Sequence, residues 1–381
     1  MTGARRPLTG SDPLDATLPP RRGRLRFGSF LTRHAALGLV PVAAPVAVFL
    51  PLGILLGPHV LGVVNDRVLS LLDPVASFAL AALGVFAGLA VDDIVRRPRL
   101  LAASALEAGA TLGLVAASGA FLMIRWQMPL ELPVGLAALC LGLGAAPSSA
   151  PALGAEHPGA RVADLDDVVP IAAGGILLAV VAQGWSAAPA LLLLTVVIGI
   201  AAGGVAVLLL KGDHSPSERI TFVVGTLLLI GGGAAYVGLS PLMAGFAAGG
   251  YWRYRGRGAG EEILLDLQRL HHPLVVLLLV AAGASSILSV MALWLTAAVI
   301  TARLAGKLVG GWLATRVAGA VAPVDLGLLL LPPGVFGIAV LLNLRQVFGP
   351  GVLGPVLTAT VLSAVAFEVL GLLAGWQEES R

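Results

Sequence analysis

The chain has 381 residues, 57% of them hydrophobic and only 12% charged, with a mean hydropathy of +0.95. That balance excludes a string of water-soluble domains: apolar runs close to 20 residues long recur from residue 35 to residue 375, each able to cross roughly 30 Å of hydrocarbon. The formal net charge of +3 is scattered over loops, which argues against a nucleic-acid partner, and the single Cys140 excludes an intrachain disulfide.

In chain order, residues 1–33 are rich in Arg, Pro and Gly without an apolar run and read as a disordered cytoplasmic tail. The apolar stretch after them is too long for a secretory h-region and lacks a convincing cleavage site, so it reads as retained. A membrane domain over 34–376 follows, and 377–381 form a short cytoplasmic C-terminus with no soluble domain attached. Its predicted spans lie near 35–57, 74–91, 100–124, 132–150, 162–184, 187–210, 219–237, 240–253, 272–287, 289–315, 325–344 and 351–375. This is an all-α polytopic membrane protein of about 12 transmembrane helices, and its 49 Gly and 25 Pro suit close helix packing and broken helices. Between the eighth and ninth spans, Glu261–Leu270 puts Ile263, Leu264, Leu267 and Leu270 on one helical face, predicting an amphipathic linker on the inner membrane surface.

Twelve spans put both termini on one side. With that side cytoplasmic, 19 of the 24 Lys and Arg fall on inner segments. Only Arg67, Arg125 and Arg345 fall on outer loops, and Arg303 and Lys307 lie inside the tenth span. Positive charge prefers the inner face, so this parity places the protein in the cell membrane, multi-pass, with both termini cytoplasmic.

The polar residues within the spans carry the chemistry. Asp166 and Asp167 open the apolar stretch of the fifth span, whereas Asp164 reads as an ordinary helix-start acid. A carboxylate in hydrocarbon persists only with a partner or in a wet cavity, and two adjacent ones resist being charged together. Such a pair can hold either protons or a cation. Lys307 stands out because the chain has 22 Arg and only two Lys: a buried Lys can give up its proton where Arg cannot. Asp167 is 6 residues from Arg161 and Lys307 is 9 from Arg316, so both lie roughly 9–14 Å in from the cytoplasmic end at about 1.5 Å per residue. Glu107 and Glu368 are further embedded acids, each either lining a funnel or bonding a neighbouring helix. His271 and His272, before Pro273, read as interfacial residues at a helix start.

Two spans are interrupted. The fourth holds Pro147 and Pro151 around Ser148 and Ser149; the eleventh holds Pro332, Pro333 and Gly334. Proline breaks the backbone ladder, and such backbone is tolerated at membrane depth only beside a cavity. The two spans are seven apart and cross in opposite senses, which predicts inverted repeats with two broken crossing helices and an ion site between them.

The segments PLGILLGPHVLG (51–62), LGLGAAPSSAPAL (141–153), DLDDVVPIAAGGILL (164–178), GLSPLMAGFAAGG (238–250), HPLVVLLLVAAGASSI (272–287), ARLAGKLVGGWLATRVAG (302–319) and LLPPGVFGIAV (330–340) together resemble the bacterial monovalent cation:proton antiporters. The resemblance is to the branch of Kef-like and aspartate-pair sodium/proton exchangers. It implies the sodium/proton antiporter fold, a homodimer built on a panel domain, and a core domain that moves like an elevator. It also implies that Asp167 takes the cation and the proton, that Asp166 pairs with Lys307, and that Ser148 and Ser149 support the site. Arg303, one turn from Lys307, is a second candidate partner. Family members often carry Thr where this chain has Ala150, which thins the ligand set.

The expected function is exchange of protons for Na⁺ or K⁺ across the bilayer, without a cofactor and without enzymatic chemistry. Release of a second proton by Lys307 would make it electrogenic; a permanently charged Lys307 would make it electroneutral. A sodium-coupled symporter of an organic anion and a non-transporting membrane sensor are the alternatives.

Overall fold

The computed structural model describes residues 45–89, 98–128, 131–149, 158–209, 215–255, 259–319, 323, 325–349 and 352–373. The predicted tails, the start of the first span, Ala150 and Pro151 lie outside them. In order come α1 (Pro45–Leu56), α2 (Asp66–Leu89), α3 (Pro98–Arg125), α4 (Val134–Ala145), α5 (Pro158–Asp166), α6 (Val168–Gln183) and α7 (Ala188–Leu209). After them come α8 (Pro216–Tyr236), α9 (Pro241–Arg255), α10 (Ala259–Ala284), α11 (Val290–Ala318), α12 (Leu326–Leu329), α13 (Val335–Phe348) and α14 (Gly354–Leu373). Each of the twelve predicted spans coincides with helix, α5–α6 and α12–α13 each making one. Seven of the described helical stretches are long and apolar enough to cross a bilayer, and four shorter apolar helices join them.

Local chemistry sets the ends. Five helices start on proline, whose missing N–H is unneeded in a first turn. Ser215 and Glu218 form a reciprocal capping box at the start of α8. Gly184 (φ 80°), Gly319 (φ 64°) and Gly349 (φ 90°) stop α6, α11 and α13 in the left-handed region.

One expectation fails. The stretch 259–270 is not a separate surface linker but runs unbroken into the ninth span as α10, with Pro273 inside the helix. His271 and His272 are therefore mid-helix, and His271 packs edge-on against Phe86 with ring centroids 4.8 Å apart. Leu267 is fully buried and Leu270 half-buried, so their face meets protein; the side chains of Ile263 and Leu264 lie outside the description.

The helices sort into two groups by how they pack. One holds α1, α2 and α7–α10; the other holds α3–α6 and α11–α14. Within each group, glycines bring backbones into direct contact. Gly84 and Gly88 of α2 face the carbonyls of Leu242 and Phe246, while Gly245 and Gly249 of α9 face those of Ala81 and Val85. In the other group, a Cβ at Gly306 would lie 2.7 Å from Thr111 Cα, so the Gly306–Gly310 pair seats α11 on α3. Between the groups, among the described residues, Gly175 meets the flexible Met243 thioether, while Gly354 of α14 meets Ile287 Cδ1 in the connection from α10 to α11. Hydrogen bonds also cross there, Asn343 Nδ2 to Ser240 Oγ (2.9 Å) and Gln346 Nε2 to Ser77 Oγ (2.9 Å), and in the connection from α10 to α11 the Ile287 N–H donates to Thr358 Oγ1 (2.7 Å).

The interlock makes a prediction. Gly245→Val would drive a side chain into the Ala81 carbonyl, and overpacking of this kind costs about 1–3 kcal/mol. The melting temperature in detergent should fall by several degrees; Gly225→Val, where the added Cβ meets open space, serves as the control.

Candidate functional site

Proline ends the helices at the two breaks, and the freed backbone pairs across them. Ser148 and Pro333 form an antiparallel bridge. Ser149 N–H donates to Pro332 O (3.0 Å) and Gly334 N–H to Pro147 O (3.1 Å). Ser149 thus joins through its backbone. The approach needs Gly334, where a Cβ would lie 2.7 Å from the Ser148 carbonyl oxygen.

Carbonyls released at a helix break need donors when water is excluded. Here α11 supplies them. Arg303 donates to the carbonyls of Ala145, Pro147 (3.0 Å), Leu331 (3.3 Å) and Pro332 (3.3 Å), so one guanidinium bridges both breaks. The expectation of Arg303 as a partner for Asp166 gives way to this role: its fork is taken up by backbone oxygens. Its Cζ also lies 5.6 Å from the ring centroid of Phe367. Lys307, one turn on, donates to Ala146 O (2.7 Å).

Lys307 is fully buried, so its ammonium does not snorkel to the interface. Its Nζ bonds Ser148 Oγ and lies 3.3 Å from Asp166 Oδ2 and 2.9 Å from Glu107 Oε1. Asp166 accepts from the Ser148 N–H (3.1 Å) and from the Ser148 hydroxyl. Thr111 donates to Glu107 Oε1 at 3.0 Å. Sequence reasoning passed over Thr111; its spacing of one turn from Glu107 was the available signal.

Asp167 sits at the junction of α5 and α6 in ordinary right-handed backbone (φ −67°, ψ −28°) and caps nothing with its side chain. It is 6% exposed. Its Oδ1 and Glu107 Oε2 are buried with no hydrogen-bond partner among the described residues. Glu368, on α14, is buried too, but joins none of these hydrogen bonds.

The charge balance follows. Among the described residues the buried carboxylates are Glu107, Asp166, Asp167 and Glu368, and the buried cations are Arg303 and Lys307. An excess of buried negative charge is untenable without compensation, so the four carboxyls cannot all be charged at once unless a cation joins them. Among the described residues, no group of three or more His, Cys, Asp or Glu has the arrangement to hold a metal ion.

No known family model matches the chain, and no curated protein matches it in sequence. Its structure is similar to that of the sodium proton antiporter MjNhaP1 from Methanocaldococcus jannaschii at pH 8, with a TM-score of 0.62 and 17% identity over 88% of this chain and 91% of that one. The likeness establishes the architecture: the chain has the sodium/proton antiporter fold, an all-helical membrane fold with two broken, crossing helices.

Proposed function

We propose that the protein is a secondary antiporter exchanging protons for a monovalent cation, Na⁺ or K⁺, by alternating access at Asp167. The observation that carries this reading is the buried Asp167 Oδ1, without a hydrogen-bond partner among the described residues, beside a cluster that holds more carboxyls than cations among them. A proton and a monovalent cation each neutralise one charge there, so they compete for one place, and competition at one site is what couples their movement. The fold supports the reading, as does the neighbour's being a sodium proton antiporter. The aspartate pair and Lys307 favour the Kef-like and aspartate-pair branch. In this reading α3–α6 and α11–α14 carry the site against the other group, which forms a homodimer in the cell membrane.

The test is purified protein in liposomes under a proton gradient, with cations added in turn. Na⁺ or K⁺ should collapse the gradient; no cation-dependent proton movement with either would remove the proposal.

Orientation is tested separately. Glu131, just before α4, and Arg255, the last residue of α9, are both exposed, at ends assigned to opposite faces. Glu131→Cys should react with an impermeant thiol reagent only from outside and Arg255→Cys only from the cytoplasm, since Cys140 is buried. Labelling of both from one side would break the assigned topology.

A further inference from the structure

Lys307 has two carboxylates in reach, and the nearer belongs to neither member of the aspartate pair. Glu107 Oε1 stands 2.9 Å from its Nζ, against 3.3 Å for Asp166 Oδ2, and all three side chains are fully buried. The position of Glu107 is built into the helix packing. Gly310 lets α11 lie so close to α3 that a Cβ there would sit 2.9 Å from both Glu107 Cα and its carbonyl oxygen. Thr111 donates to the same Oε1 that faces Lys307, while Oε2 has no partner among the described residues. A buried ammonium with one counter-ion holds it fast, because losing it strands a charge. With two counter-ions, either can leave.

We propose that Glu107 is a resident second counter-ion of Lys307, which holds the ammonium when Asp166 lets go and so frees Asp166 to serve the ion bound at Asp167. Glu107 then acts as a positioning residue: it touches no transported ion, and sets how readily Asp166 can move. The transport half of this idea rests on the antiporter reading; the ion-pair half does not.

The experiment combines unfolding in detergent with uptake in liposomes for Glu107→Gln, Asp166→Asn and the double variant. Each single variant leaves Lys307 one carboxylate and should melt within a few degrees of the parent. The double variant strands the ammonium and should lose far more than the sum of the singles, the signature of two groups sharing one partner. In transport, Glu107→Gln ties Asp166 to Lys307, so the cation KM should rise roughly tenfold, the scale of one charge-assisted hydrogen bond, with a smaller fall in maximal rate. Glu107→Asp should recover part of that rise, and it carries the transport test if Glu107→Gln does not fold. Additive melting losses, or an unchanged KM in these variants, would overturn the proposal. Additive losses with normal exchange in the parent sink the counter-ion role alone, whereas non-additive losses in a parent that moves no ions sink the antiport reading alone.

Discussion

Asp167→Asn is expected to abolish cation-driven proton movement while the protein still folds. The substitution keeps the side-chain volume, and the backbone at this junction is right-handed helical, which Asn adopts without strain. The carboxylate caps no helix with its side chain, and its Oδ1 has no partner to lose. What disappears is one of the four buried carboxyls and with it the place for a proton or a cation. Taking an uncompensated charge out of a buried cluster relieves repulsion, so the melting temperature should hold or rise. Liposome flux and unfolding in detergent together decide it. Parent-like flux from Asp167→Asn would take this residue out of the mechanism, and a collapsed melting temperature would make it structural.

Arg303→Ala is expected to be the most destabilising single change in the site. It leaves the carbonyls of Ala145, Pro147, Leu331 and Pro332 short of a donor at once. Gly334 N–H still serves Pro147, and Ser149 N–H still serves Pro332. The other two are left to find new donors, at about 1–3 kcal/mol for each buried polar group stranded. It also leaves Lys307 as the one buried cation among the described residues, against four buried carboxyls. Set against total stabilities of about 5–15 kcal/mol, this is enough to lower the melting temperature by several degrees. Arg303→Lys should fall between, because an ammonium offers three donors from one nitrogen and cannot span both breaks as a planar fork does. Arg303→Ala melting within two degrees of the parent would show that other donors satisfy these carbonyls.

The contrast between these two residues marks how much the sequence made legible. Spans were readable because bilayer thickness fixes a length, and the two breaks because proline ends a helix wherever it stands. Lys307 was readable as an exception in a chain that otherwise uses Arg. The partners of Arg303 were not, since backbone carbonyls carry no residue signature and its donors look equally suited to a carboxylate. The reach of Glu107 to Lys307, 200 positions away, depends on the rotation and depth at which Gly306 and Gly310 seat one helix on another. A loose periodicity cannot fix that. The unbroken α10 was missed for a different reason: Pro273 was read as a beginning, although a proline inside a packed membrane helix can be carried by its neighbours.

The uneven distribution of glycine contacts has a mechanical consequence. Where backbone rests on backbone, a shift of one residue collides with a carbonyl, so each six- or eight-helix group behaves as a stiff body. Where the two bodies meet, Met243 can change rotamer, and sliding has to break hydrogen bonds such as those at Ser240 and Ser77 and to shift the apolar side chains that one core shares across the boundary. Each such bond contributes about 0.5–1.5 kcal/mol net, comparable to the 1–3 kcal/mol by which one bound ligand typically biases a second site. Under the proposed antiport this boundary is where the two groups would slide, and occupying one charged site would supply free energy on the scale of such bonds.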